Sequence, residues 1–134
     1  MKFGDLVKDL RIAQKKTLRQ FCMENSHDPS NWSKIERNIN PPPKDRETLS
    51  RWAGDLGLRK ESDEWKDFMM KADISRGEIP QEVLSDEKLL TRLPVFFRTV
   101  SGAPLTDEKL DRLMAHIKEV YSPDEHKNRS EKRR

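Results

Sequence analysis

Helix-starting and helix-stopping residues punctuate the first part of this chain so tightly that it can fold only as a succession of short helices. Phe3, Leu6, Val7, Leu10 and Ala13 recur at the spacing of one helical face over Phe3 to Lys15. Thr17 is a residue suited to an N-cap, and Leu18, Phe21 and Cys22 give a second helix its apolar side. The polar run Asn25-Ser26-His27 breaks it. Asp28-Pro29 restarts the chain with a carboxylate that can cap and a proline at the first helical position, where a missing N–H costs nothing. Trp32 and Ile35 form the apolar pair of this third helix, and Asn40-Pro41-Pro42-Pro43 ends it, because proline lacks a donor and clashes with the preceding turn. A fourth helix is expected over about Arg46 to Leu56, with Leu49, Trp52, Ala53 and Leu56 inward and Gly57 as its stop. Ser62 opens a fifth, with Trp65, Phe68, Met69 and Ala72 inward and Gly77 at its exit.

Beyond Gly77 the pattern changes. Ile79-Pro80 reads as a linker or short turn, Ser85 as the cap of a stretch carrying Leu89, Leu90 and Leu93, and Pro94 as an interruption. Val95, Phe96, Phe97 and Val100 continue the apolar character up to Ser101-Gly102-Ala103-Pro104. Thr106 then caps a last helix to about Tyr121, with Leu110, Leu113, Met114, Ile117, Val120 and Tyr121 along one side. Asp107 and Glu108 suit its positive N-terminal end. From Ser122 nothing apolar remains, so residues 122–134 are expected to be a disordered basic tail. Glycine is scarce and no run of alternating β-branched residues occurs, which makes the expected fold class all-α.

Charge and cysteine usage narrow the function. Charged residues make up 38% of the chain and hydrophobic ones 33%, enough for a small core and too few for a large one. The net charge of +3 hides a segregation: residues 1–60 hold 13 Lys and Arg against 8 Asp and Glu, whereas residues 61–121 hold 9 against 13. A basic front suggests a polyanionic partner, and an acidic middle suggests something else. Cys22 stands alone, which fits a reducing compartment and a packing role. No apolar run approaches the roughly 18 residues that span a bilayer, and the N-terminal stretch has no signal-like apolar segment. A cytoplasmic protein without membrane contact is the expectation. His27, His116 and His126 lack Cys or Asp partners at ligand spacing, so neither a metal nor a cofactor is expected. The acidic pairs Asp63-Glu64 and Asp107-Glu108 sit at helix starts, where they complement the dipole, and no nucleophile–base set or phosphate loop is visible. The chain does not read as an enzyme.

Two helices joined by a short turn, the second polar on one side, form a unit that can read DNA: one helix rests on phosphates while the other reaches base edges in the major groove. The strings Thr17-Leu18-Arg19-Gln20-Phe21-Cys22 and Pro29-Ser30-Asn31-Trp32-Ser33-Lys34-Ile35-Glu36-Arg37 resemble the second and third helices of the XRE family of lambda-repressor and Cro-like regulators. The match covers about residues 3–57 as a spaced pattern. The resemblance implies a five-helix lambda-repressor-like DNA-binding domain over residues 1–77 with a helical C-terminal extension over 78–121. It implies that Ser30, Asn31, Ser33 and Lys34 read bases, while Lys16, Thr17, Arg19, Gln20, Arg37 and Asn40 hold the backbone. It also implies a buried ion pair between Arg11 and Glu36. The sequence departs from the family pattern in carrying Ser26 and Asn38 where glycines are usual, a triple proline in a normally looser loop, and Trp32 where the residue is usually aliphatic.

Three functions are compatible with these residues. The first is a homodimeric repressor that occludes a palindromic operator on double-stranded DNA. The second is an antitoxin that autoregulates its operon and covers a cognate toxin with residues 79–121. The third is a protein-interaction adaptor that kept the fold and lost DNA binding. The apolar stripe from Leu110 to Val120 either packs back on the first five helices or contacts a second copy or a partner.

Overall fold

The computed structural model describes residues 1–102 and 104–120. Every regular element among them is an α-helix, with no strand. In chain order these are α1 (Phe3–Ala13), α2 (Leu18–Asn25), α3 (Pro29–Glu36), α4 (Arg46–Asp55), α5 (Asp63–Ser75), α6 (Gln81–Leu84), α7 (Glu87–Ser101) and α8 (Asp107–Val120). The chain divides into a compact unit over Met1–Leu89 and a second that begins at Leu90. The expected tail over 122–134, like Tyr121, lies outside the described residues.

The first unit is built on the apolar stripes of its five longer helices. Phe3 and Val7 of α1, Phe21 and Cys22 of α2, Trp32 and Ile35 of α3, Leu49 and Ala53 of α4 with Leu56 just after it, and Trp65, Phe68, Met69 and Ala72 of α5 form one buried cluster. Leu6, Leu10, Leu18, Trp52 and Leu58 pack against it while remaining partly exposed. Burial of each large side chain in such a cluster stabilises the fold by about 1.5–3 kcal/mol, and these residues come from five helices that could not persist singly in water. The Phe3 and Phe68 rings meet at 5.0 Å, which ties α1 to α5.

Local chemistry sets the helix ends. The Thr17 hydroxyl accepts from Gln20 N–H, the Asp28 carboxylate from Asn31 N–H, Asp45 from Thr48 N–H and Ser62 from Trp65 N–H. Among the described residues, four other than glycine take the left-handed conformation: Lys15, Ser26, Asn38 and Glu61. Ser26 ends α2 at φ 59°, ψ 42°, so the residue that replaces a glycine adopts the conformation a glycine would supply. Asn38 does the same at φ 61° after α3. Its side chain adds a contact glycine could not, accepting from Gly4 N–H at 2.7 Å. Gly4 itself is fixed by closeness: a Cβ there would lie 2.3 Å from the Ile35 carbonyl oxygen and 2.5 Å from Asn38 Oδ1.

After α5 the elements differ in three places from the sequence pattern. The linker at Ile79-Pro80 leads into the single turn α6, which belongs to the first unit; Glu82 on it pairs with Arg46 of α4 at 3.3 Å. The cap of α7 is Asp86, whose carboxylate accepts from Lys88 and Leu89 N–H, whereas the Ser85 hydroxyl turns back to the Glu82 carbonyl. A carboxylate is the stronger acceptor for a helix N-terminus, which favours Asp86 over its neighbour. Pro94 does not interrupt the helix; α7 runs through it from Glu87 to Ser101. One proline removes a single backbone hydrogen bond, and the bonds on either side carry a run that remains amphipathic in both directions. Thr106 caps α8 by accepting from Lys109 N–H. Neither α7 nor α8 contains a buried residue; Leu90, Leu93, Val100 and Leu113 are half-buried.

Candidate nucleic-acid interface

The orientation of α3 is set from behind by a buried polar knot. Arg11 reaches from α1 and donates from Nε to Glu36 Oε2 at 2.7 Å and from Nη2 to Glu36 Oε1 at 2.9 Å. Trp32 Nε1 donates to the same Oε2 at 2.9 Å, and Arg11 Nη1 donates to the Lys16 carbonyl at 2.8 Å. The two side chains that the resemblance pairs are thus in a two-pronged contact, with side-chain exposures of 10% and 5%. The Glu36 carboxylate lifts the Arg11 guanidinium further above its ordinary value, against the opposing effect of burial. The Glu36 carboxylate therefore joins α1 to α3, and the Arg11 guanidinium it holds reaches on to the α1–α2 turn.

A second tie holds the turn between α2 and α3. The His27 ring lies against Trp32 with centroids 4.4 Å apart and faces Phe21 at 5.7 Å. Its Nε2 is 2.9 Å from Asp55 Oδ2 of α4. Sequence spacing left His27 without a partner because Asp55 is 28 residues away. Cys22 sits beneath in the core, and burial pushes its thiol up, which keeps it protonated and suited to packing.

With Trp32, Ile35 and Glu36 buried, α3 turns its other side outward. Ser30, Asn31 and Arg37 are exposed, and Ser33 and Lys34 are half-buried. The Arg37 guanidinium lies along this face, with Nε donating to Ser33 Oγ at 3.1 Å. The expected base-reading set and Arg37 are accordingly together on one helix face. Asn40 follows on the loop, half-buried, with its N–H directed to the Lys34 carbonyl. At the start of α2, Thr17, Arg19 and Gln20 are exposed and Lys16 is half-buried.

Sequence reasoning did not single out Glu24. Its carboxylate pairs with Lys16 Nζ at 2.7 Å through Oε2 and accepts from Gln20 Nε2 at 3.2 Å through Oε1. Hydrogen bonding to Lys16, then to Gln20, holds Glu24 below the usual carboxylate range. The i, i+4 spacing of Gln20 and Glu24 was the available signal; the Lys16 contact crosses a helix start and has no such signature. Among the described residues no group of His, Cys, Asp and Glu could hold a metal ion, and no helix is long and apolar enough to cross a membrane.

Comparison with protein-family models, with curated proteins and with solved structures finds no match to this chain.

Proposed function

We propose that this chain is a sequence-specific, double-stranded-DNA-binding transcriptional regulator with a lambda-repressor-like N-terminal domain, acting in the cytoplasm as a dimeric repressor. The observation that carries the reading is the two-sidedness of α3: Trp32, Ile35 and Glu36 are buried, while Ser30, Asn31 and Arg37 are exposed beside half-buried Ser33 and Lys34. Short polar and basic side chains on a helix braced from behind are what major-groove readout needs, because base edges are distinguished by donors and acceptors at fixed positions. Lys16, Thr17, Arg19 and Gln20 would meet the phosphates beside that groove. Repression then requires no chemistry, only occupancy that excludes polymerase.

Selection of bound duplexes from a random pool tests this. The expected result is a palindromic consensus with half-sites about one helical turn apart. Replacing Asn31 and Lys34 together by alanine is expected to lower affinity for that consensus roughly 10- to 100-fold or more, to near the level of random DNA, with the circular dichroism spectrum unchanged. Retention of sequence preference by the double variant would displace α3 from the groove.

A second reading, an antitoxin that also represses its own operon, is favoured by one observation. Val95, Phe96 and Phe97 of α7 and Leu110, Met114, Ile117 and Val120 of α8 are exposed at 40% or more, an apolar display suited to a protein partner. Its distinguishing test is inhibition of a toxin encoded beside it: Phe96→Ser with Phe97→Ser would abolish inhibition and leave operator selection intact.

A further inference from the structure

We propose that Glu24 is a built-in competitor for DNA phosphate, holding Lys16 and Gln20 in a clamp that a duplex must open before the α2 face can bind it. The inference rests on the DNA-binding reading above and concerns the control of that same face.

The clamp reproduces the contacts a phosphate would make. A phosphate offers adjacent anionic oxygens to a cation and an amide donor; the Glu24 carboxylate offers Oε2 to Lys16 Nζ at 2.7 Å and Oε1 to Gln20 Nε2 at 3.2 Å. Lys16 and Glu24 have side-chain exposures of 27% and 41%, so the pair is open to an incoming anion. Hydrogen bonding to Lys16 and then to Gln20 lowers the Glu24 carboxyl from its ordinary value, so the carboxylate that closes the clamp is ionised at neutral pH.

Three consequences follow from charge. Lys16 contributes no uncompensated positive charge, and the exposed cations beside it around the start of α2 are Lys15 and Arg19. A phosphate that takes Lys16 exchanges one anion for another, and Lys16 releases fewer condensed counterions than a free lysine would. The displaced carboxylate then lies next to the DNA backbone, where like charges repel. Glu24 therefore lowers affinity for every sequence alike and leaves discrimination to α3.

The test is binding of the full-length chain to a random-sequence duplex, followed by fluorescence anisotropy between about 50 and 200 mM salt, a range over which one added phosphate contact costs roughly threefold more in affinity. Glu24→Gln keeps the side-chain shape and is expected to bind more tightly at the low-salt end. Its log–log salt slope should be steeper by about 0.9, the value for one added phosphate contact. Lys16→Met with Glu24→Gln should lose the added steepness, because the cation that Glu24→Gln frees is Lys16 itself. Equal slopes for the parent and Glu24→Gln would overturn the clamp while the DNA-binding reading stands. Absence of salt-dependent binding by every variant would overturn both.

Discussion

Glu36 joins α3 to α1 from a buried position. It accepts from Arg11 twice and from Trp32 once, at distances between 2.7 and 2.9 Å, in a place almost closed to water. A buried carboxylate is tolerable only when such donors replace its hydration, and the same holds for the guanidinium facing it. Glu36→Ala would strand the Arg11 charge and the Trp32 N–H together. The expected loss is about 3–5 kcal/mol of stability, read as a marked fall in the melting temperature; an unchanged melt would show that the pair contributes nothing. The effect on DNA binding would follow from the fold, because Glu36 faces away from the exposed side of α3.

At the scale of the element, the geometry of the turn between α2 and α3 decides where the exposed face points. Ser26 ends α2 in the left-handed conformation, its N–H returning to the Cys22 carbonyl. Two residues later Asp28 caps α3 with Pro29 in its first turn. The turn thus has a stop, a start, and His27 between them anchored to Asp55. A residue with a Cβ pays for the left-handed conformation, while glycine pays instead through the freedom it has when unfolded. Ser26→Gly is therefore expected to stabilise the chain by about 0.5–1 kcal/mol, raising the urea midpoint without altering the helical content. A fall in the midpoint would mean that the serine side chain contributes a contact of its own. Ser26 stands where the resembled family usually carries glycine, and its backbone takes the glycine-like conformation.

At the scale of the whole molecule, acid is expected to weaken the packing of Met1–Leu89. Glu24, Asp45 and Glu78 are each held below their ordinary values, by Lys16, by Thr48 and by Arg76 respectively as the largest cause. A carboxylate whose folded value is depressed favours the native state above its unfolded value, and that contribution disappears as pH falls through the folded value. Stability is therefore expected to be level through neutral pH and to decline below the usual carboxylate range. Asp45→Asn, which keeps an acceptor at the start of α4 but cannot titrate, should flatten part of that decline in urea midpoints measured across pH. An acid limb identical to that of the parent would remove Asp45 from the account. The second unit behaves differently in kind: α7 and α8 bury no residue, so their persistence depends on whatever covers their apolar sides.

Local features were legible in the chain as written. The starts at Thr17, Asp28, Ser62 and Thr106 and the apolar stripes that fill the core depend on residues within about one or two turns, where sequence neighbours are spatial neighbours. Pro94 and Ser85 misled for the same reason, since each is a local signal that a stronger amphipathic run and a neighbouring carboxylate outweighed. The contacts that orient α3 were of another sort. Glu36 with Arg11, His27 with Asp55, and Gly4 against Asn38 join positions 25 to 34 residues apart. The first of these pairs was available only through family resemblance. Distances of that kind are set by how helices cross, and a helix's own periodicity states which side it buries without stating which neighbour will lie there.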